Sequence, residues 1–295
     1  MKRLFLLTVI AVCLPALCSA QTFNLLIPTD ARTAGFAAAG AALDADAFVS
    51  ASGVSAAALS ERSAAFGLGY NMWAPSSSSM GVAGFGGFYR FGRVAVALDG
   101  RYFIEKPYDI ISSVSKVIGT FQPKDIMAGV GVAFQVAEPL SVGVTGRFMS
   151  SSIAESAKGS AFCADADVTF KKNGLTAMAG VANLGSKLSY GGSSYALPAL
   201  AKAGAAYSVA GLTASVEADY LFSGAFMAGL GLEYCIADIA FVRAGYHYGD
   251  AAKALPSFAS LGLGAQFSGF SLDLAFLTAS DTLGNTLLFG LGYSF

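Results

Sequence analysis

The strongest constraint on this chain is a repeated alternation of large apolar residues with small or polar ones. From residue 64 onward, segments of about ten residues show this alternation, and turn residues separate them. In the final segment, NTLLFGLGYSF, every second residue from 287 to 295 is large and apolar, and most residues between them are Gly or Ser. Because successive side chains of a β-strand point to opposite faces, each segment predicts a strand with one apolar face.

The composition indicates that these apolar faces meet lipid. The chain is 55% apolar and only 13% charged, with a mean hydropathy of +0.59, whereas soluble proteins carry roughly 25% charged residues. After the N-terminus, no uninterrupted apolar run approaches the roughly 20 residues of a membrane-spanning helix. Without such helices, a spanning chain satisfies its backbone polar groups in a closed β-barrel. We therefore predict an all-β fold, a transmembrane antiparallel β-barrel. The net charge of −1 offers no basic footprint for nucleic acid.

The segments number about fourteen, in agreement with the even strand counts of single-chain bacterial barrels. The predicted strands lie near 64–73, 80–91, 93–103, 125–137, 139–150, 161–170, 174–182, 198–208, 211–222, 224–236, 238–249, 256–267, 269–279 and 285–295. Long connections, including 104–124, 151–160 and 183–197, alternate with short ones. Outer-membrane barrels have long extracellular loops and short periplasmic turns. We therefore expect both ends of the barrel domain, residues 64–295, in the periplasm of a Gram-negative cell.

Charged residues of the predicted strands share a face with the small residues. Arg101, Arg147 and Arg243 are examples. Arg or Lys on the lipid face at the midplane would cost about 2–4 kcal/mol, so we expect these side chains in the lumen. Aromatic residues gather near strand ends, among them Tyr70 and Trp73, and predict the two interfacial girdles.

The N-terminus has the pattern of a secretory signal peptide. Residues 1–20 contain two basic residues, a short apolar stretch and the small-residue cleavage site Cys18-Ser19-Ala20. A lipid-anchored Cys18 is disfavoured because Leu17 stands where a small residue is expected. We therefore expect a mature chain that begins at Gln21.

The sequence gives little support for an enzyme. Its one histidine, His247, lies three residues before Asp250, and a lipase-like barrel would need Ser, His and an acid in register. No second signal marks a nucleophile, so a lumen-facing or girdle-level histidine is the preferred interpretation. There is no CxxC and no HExxH. We predict no catalytic residues, no cofactor and no metal site.

Residues 21–63 differ from the rest of the chain in being rich in Ala, Gly and Ser, without a sustained strand period. This segment contains Asp30-Ala31-Arg32, then Gly35, and later Asp44 and Asp46. Further along the chain are VANLGSKLSY (181–190), LPALAKAGAAY (197–207) and FVRAGYHYGD (241–250). In their order and spacing, these motifs resemble the PorV/PorQ family, FadL-like outer-membrane barrels of the type IX secretion system. The resemblance covers nearly all of the mature chain.

The resemblance implies a fourteen-stranded barrel with residues 21–63 folded into the lumen as a plug. Its plug motif would be Asp30, Arg32, Gly35, Asp44 and Asp46. The composition agrees, because a barrel this wide encloses a large lumen and small residues could fill it. The alternative is a solvated periplasmic leader. If the segment is a plug, we expect its charges to pair with lumen charges such as Arg101, Arg147 and Arg243.

Two functions remain open at this point. The resemblance implies a component of a type IX-like secretion system, which binds secreted cargo proteins or secretion-machinery subunits through extracellular loops. The most apolar long loop, 104–124, supplies a candidate partner surface: Ile110, Ile111, Val114, Val117, Ile118 and Phe121. The alternative is a FadL-like transporter of hydrophobic small molecules. In either case, Tyr293 and the terminal Phe295 resemble the signal by which the barrel-assembly machinery recognises its substrates before insertion among outer-membrane lipids.

Overall fold

A computed structural model describes residues 23–75, 79–111, 116–190 and 192–295. In chain order its strands are β1 (Ala64–Trp73), β2 (Met80–Phe91), β3 (Val94–Ile104), β4 (Tyr108–Ile111), β5 (Val117–Phe121), β6 (Lys124–Ala137), β7 (Leu140–Ala154), β8 (Ala157–Lys172), β9 (Leu175–Gly185), β10 (Leu188–Tyr190), β11 (Ser193–Tyr195), β12 (Leu200–Val209), β13 (Leu212–Leu221), β14 (Ala225–Ile236), β15 (Ala240–Tyr248), β16 (Phe258–Phe267), β17 (Phe270–Thr278) and β18 (Thr286–Ser294).

Fourteen of these strands form one closed antiparallel barrel. Its order is β1-β2-β3-β6-β7-β8-β9-β12-β13-β14-β15-β16-β17-β18, and β18 pairs back with β1. Strands β4 and β5 form a separate hairpin, as do β10 and β11. The predicted fold class is therefore confirmed, and the closing strand is the alternating segment at the C-terminus.

One predicted loop is wrong. Residues 151–160 belong mainly to β7 and β8, which stay paired from Ser151 opposite Gly159 to Ala154 opposite Ala157. The segment lacks the large apolar residues of the spanning strands. It still forms a ladder because strand pairing beyond the lipid needs no apolar face. The loops 104–124 and 183–197 likewise contain the two small hairpins.

The two faces of the barrel are sorted as alternation predicts. Large apolar side chains point outward, and Leu68, Val130 and Leu291 are each more than 60% exposed at the outer surface. Arg101 and the other predicted lumen arginines are buried inside. Trp73 is a correction, because it is 5% exposed and packs in the interior instead of joining a girdle. It has the opposite strand parity from the outward Tyr70.

The N-terminal segment fills the lumen with short helical turns. It contains 3₁₀ turns at Phe23–Leu26 and Val54–Leu59, and two α-helical turns, α1 (Ala31–Gly35) and α2 (Val49–Ser52). Asp30 caps α1, since its Oδ1 accepts a hydrogen bond from the Thr33 amide at 2.8 Å. In the described ranges, no helix has both the length and the apolar character needed to cross a membrane. We call residues 23–63 the plug.

Candidate functional site: the plugged lumen

Lumen-facing glycines let the plug approach the wall closely. A methyl group on Gly229 would lie 2.7 Å from the carbonyl oxygen of Ala37, and one on Gly231 would lie 2.6 Å from the Phe36 ring. On the other side of the barrel, a methyl group on Gly143 would lie 2.7 Å from the Ser55 amide nitrogen. The bare inner faces seen in the sequence therefore accommodate plug backbone, which larger residues would push away.

Wall side chains supply hydrogen-bond donors to the plug carbonyls. This matters because irregular backbone inside a barrel at membrane depth must find partners within the protein. The pairs are Arg101 Nη1 to Ile27 O at 3.0 Å, Asn71 Nδ2 to Pro28 O at 3.1 Å, Ser260 Oγ to Gly35 O at 2.9 Å, Ser215 Oγ to Ala39 O at 2.7 Å and Ser141 Oγ to Ser55 O at 2.7 Å. Arg147 and Lys202 donate in the same way to Ser50 and Ser52.

Wall carboxylates accept hydrogen bonds from the plug. Glu217 accepts from the Ala41 amide at 2.7 Å, and Asp167 accepts from the Ser55 amide at 2.8 Å. At the end of the lumen near the long loops, Asp125 accepts from the side-chain amide of Asn24 at 2.6 Å. The plug is thus held from its first described turn to its last.

Two of the three predicted wall arginines, Arg147 and Arg243, pair with wall acids instead of the plug acids that we predicted. Arg243 binds Glu233 at 2.6 Å, directly across the β14–β15 ladder, and Asp273 at 2.6 Å. Arg147 pairs with Asp165 on the next strand and reaches Asp99 at 3.9 Å. This second contact crosses β6 above Gly129, where a methyl group would lie 2.6 Å from the Asp99 carboxylate. Arg147 also donates to the Ser50 carbonyl of the plug, and Arg101 donates to the Ile27 carbonyl.

The predicted plug motif lies at the end of the lumen near the short turns. Arg32 binds Asp46 at 3.2 Å and the Asp44 carbonyl at 2.9 Å, and Asp44 also accepts from Lys171 at 2.6 Å. Asp30 is buried, and burial together with the nearby Asp46 charge raises its pKa to about 7. Burial alone would lower the pKa of Arg32, but Asp46 and neighbouring acids raise it overall.

Gly35, the remaining member of that motif, meets the wall backbone to backbone. A methyl group on Gly35 would lie 3.1 Å from Arg243 Cδ and 3.4 Å from the Cα of Gly262. A larger residue at this position would therefore press on the Arg243 side chain, which would have to shift slightly. The five motif residues contribute to seating the plug, and the structure does not gather them into one ligand site.

The other predicted residues lie at the two ends of the barrel. On the β4–β5 hairpin, Ile111, Val117 and Ile118 are 62%, 51% and 65% exposed, whereas Ile110 and Phe121 are half-buried. Val114 lies outside the described residues, as does the predicted signal peptide. At the opposite end, Phe295 accepts hydrogen bonds from the amides of residues 63 and 64, and its ring lies 6.0 Å from that of Tyr293.

The single histidine is part of the packed interior. His247 is buried, and its ring stacks on Phe258 with centroids 4.9 Å apart. The Asp250 carboxylate accepts from the Ala252 amide and has no hydrogen bond to the imidazole. Among the described residues, no group of His, Cys, Asp and Glu side chains could hold a metal ion.

Two cavities lie on opposite sides of the plug. The larger, about 310 Å³, is near the short-turn end and is lined by residues such as Lys171, Gln266 and Ser294. The smaller, about 100 Å³, is near the long-loop end and is lined by residues including Leu26 and Met227. Two residues line both cavities, namely Asp30 and Phe48.

Sequence reasoning missed Phe48, although the sequence contains a usable signal. It is the one aromatic residue between positions 37 and 63, in a stretch made mainly of small residues. A large side chain in such a stretch indicates a defined packing position. The structure places its ring deep in the lumen, where it is 6% exposed.

Solved structures with this architecture include transporters of hydrocarbons. The toluene transporter TbuX of Ralstonia pickettii aligns with a TM-score of 0.69 and 11% identity over 92% of this chain and 99% of TbuX. The CymD monoaromatic hydrocarbon channel aligns with a TM-score of 0.60 and 15% identity over 92% and 98%. A FadL homologue of Pseudomonas aeruginosa gives 0.58 and 14% over 91% and 96%.

At these identities the likeness establishes the fold, and it confirms the predicted FadL-like barrel. No protein-family model matches the sequence, and no curated protein matches it significantly. None of these comparisons supports the PorV/PorQ family or type IX secretion.

Proposed function

We propose that this chain is an outer-membrane channel for small hydrophobic molecules. The observation that carries the proposal is a closed fourteen-stranded barrel with its own N-terminal plug between two cavities. The three similar structures include a toluene transporter and a monoaromatic hydrocarbon channel, which share this fold over more than nine-tenths of their lengths. An outer-membrane location follows from the same architecture, and we infer an orientation with the long loops outside the cell.

The size and lining of the smaller cavity favour a compact apolar solute. Its walls include Leu25, Leu26, Ile27, Met127 and Met227. Its volume of about 100 Å³ is of the order of cavities that hold a single aromatic ring, since an engineered apolar cavity of about 150 Å³ binds benzene. Charged side chains also line this cavity: Arg147 is paired with Asp165, whereas Arg101 and Lys202 donate to plug carbonyls.

The direct test is uptake of radiolabelled toluene by Gram-negative cells that lack FadL-type channels of their own. Expression of this chain should raise the initial rate of toluene uptake, while uptake of a sugar of similar size should stay unchanged. Folded barrel in the outer membrane is verified by its heat-modifiable migration in gels. Correctly inserted barrel with no gain in toluene uptake would contradict the proposal.

A second candidate function is binding of secreted cargo or secretion subunits, as implied by the PorV/PorQ resemblance. The exposed apolar hairpin β4–β5 favours this second function. A surface outside the membrane with several exposed Ile and Val side chains is typical of a protein contact site. In this case the lumen need not conduct, and binding would take place outside the membrane.

Replacing the hairpin's apolar side chains separates the two candidates. The combined change of Ile110, Ile111, Val117 and Ile118 to Ser should leave the barrel folded, because loop residues contribute little to barrel stability. For a channel, toluene uptake persists in this variant. For a secretion component, proteins that co-purify with the wild-type barrel are lost. A matched control changes Lys253 and Asp281 to Ser, two exposed loop residues outside the hairpin.

A further inference from the structure

The Phe48 side chain lies between the two cavities of the lumen. Its side chain lines both the 310 Å³ and the 100 Å³ cavity. The other shared residue, Asp30, is fixed by capping α1. Phe48 precedes α2, and its backbone amide donates to Asp46 Oδ1 at 2.8 Å. This hydrogen bond fixes the backbone of Phe48 and does not involve its side chain.

The Phe48 ring rests on a patch of glycines at the seam of the barrel. The patch spans three neighbouring strands at two levels, with Gly67 opposite Gly86 and Gly292, and Gly69 opposite Gly84 and Gly290. Methyl groups on Gly86, Gly67 and Gly69 would lie 3.0, 3.1 and 3.6 Å from the ring, and one on Gly84 would lie 4.0 Å from it. The ring therefore covers a part of the wall that has no side chains.

The glycine patch connects the surroundings of the two cavities. Gly290 and Gly292 line the larger cavity. At the other side of the patch, the carbonyl oxygen of Thr29, a residue that lines the smaller cavity, would lie 3.5 Å from a methyl group on Gly69. If the ring leaves its position, the wall at Gly69 and Gly84 is opened between the two cavities, while Ala47 still covers Gly67 and Gly86.

We propose that Phe48 is the gate of this channel and that the glycine patch beneath it is the path of the solute. The inference rests on the proposed channel function and specifies its substrate class. The protein's own phenyl ring occupies the path in the closed state, so the solute that replaces it is a flat, apolar molecule of one ring. Passage requires rotation of one side chain and leaves the hydrogen bonds between plug and wall in place.

The decisive experiment compares Phe48→Ala with Phe36→Ala in the toluene uptake assay. Both residues are buried plug phenylalanines, but Phe36 packs against Gly231 and lines neither cavity. We expect Phe48→Ala to raise the toluene uptake rate severalfold and to admit two-ring hydrocarbons, whereas Phe36→Ala should resemble the wild type. Phe48→Trp should lower uptake, because its larger ring system covers more of the path.

Ion conductance in planar bilayers distinguishes a gate from loss of the plug. We expect a low conductance for the wild type, and Phe48→Ala should keep it, because the polar contacts of the plug remain. A large rise in conductance would mean that Phe48 merely seats the plug, and the gate proposal would fail.

A double variant narrows the path and leaves Phe48 itself unchanged. Gly69→Ala with Gly84→Ala places methyl groups no closer than 3.5 Å to any neighbour, so the closed plug stays seated. Toluene uptake should fall. If Phe48→Ala and the double alanine variant both take up toluene at the wild-type rate, the gate proposal fails while the channel function stands. No toluene uptake by any of the inserted variants would overturn both.

Discussion

The wall and the plug of this barrel are stabilised in different ways. In the wall, each strand satisfies its backbone through two neighbours, and alternation separates lipid-facing from lumen-facing residues. In the plug, four short turns leave many carbonyls unpaired within the segment, and wall Ser, Asn, Arg and Lys side chains donate to them. The structure of the wall is therefore specified by the local alternation of residues, whereas the structure of the plug is held by hydrogen bonds from the wall. The variants below disturb one region and measure the other.

The largest effect is expected at the seam that closes the wall. Phe295 donates to the Ala64 carbonyl at 3.0 Å and accepts from residues 63 and 64, so it joins the last strand to the start of the first. These are backbone bonds that Phe295→Asp retains, so this variant tests the aromatic side chain, which resembles the signal read by the barrel-assembly machinery. We expect Phe295→Asp to leave export intact and to abolish insertion into the outer membrane. The measurement is the amount of heat-modifiable barrel in outer-membrane fractions, with Phe295→Tyr as the control that keeps an aromatic end. Normal insertion of the Asp variant would contradict this role.

The next effect concerns the lipid face of the wall. Val216 lies near the middle of β13 and is 49% exposed on the outer surface. Val216→Arg should reduce the free energy of unfolding by about 2–4 kcal/mol, the cost of a cation facing lipid at the bilayer midplane. Denaturant titration of the barrel in vesicles measures this change.

The neighbouring residue gives the matched control. Glu217 faces the lumen and accepts from the Ala41 amide of the plug, so Glu217→Gln should mainly loosen the plug. A loss of barrel stability in Glu217→Gln as large as that in Val216→Arg would contradict a role of Glu217 that is confined to the plug.

A smaller effect is expected where wall and plug touch. A methyl group on Gly86 would overlap the Ala47 carbonyl oxygen, whereas one on Gly84, on the same strand and face, would have no neighbour closer than 3.6 Å. Gly86→Ala should therefore cost about 1–3 kcal/mol, as overpacking does in protein interiors. We expect faster hydrogen exchange in residues 44–50 of this variant with unchanged exchange in the barrel strands. Gly84→Ala should match the wild type, and equal exchange in both variants would refute the close fit.

The contrast between wall and plug also explains what the sequence could predict. Alternation identifies all fourteen barrel strands, since the pattern of a strand such as β18 is contained in its own nine residues. Trp73 was misassigned to a girdle because its aromatic character was given more weight than its parity. The plug contacts could not be predicted, because a partner such as Ser260 for the Gly35 carbonyl lies 225 residues away. The cavities and the position of Phe48 between them arise from these long-range contacts.

The last effect comes from one plug carboxyl and is confined to a limited pH range. Burial, with a further contribution from the charge of Asp46, raises the pKa of Asp30 from 3.8 to about 7. Between these two pH values the Asp30 carboxyl is protonated in the folded plug and ionised in the unfolded segment. Because the folded state binds more protons in this interval, the plug becomes less stable as the pH rises from about 4 to about 7.

Asp30→Asn tests this linkage without removing the cap of α1. Asn is as good an N-cap as Asp, so its side-chain oxygen can still accept from the Thr33 amide. Hydrogen exchange of residues 31–35 should accelerate between pH 5 and pH 8 in the wild type, after correction for the intrinsic pH dependence of exchange. In the Asn variant the corrected rates should be flat across this range and slower than wild type at pH 8. A wild-type plug with corrected rates that do not change over this interval would show that Asp30 stays ionised throughout, and that Arg32 and the Thr33 amide outweigh its burial.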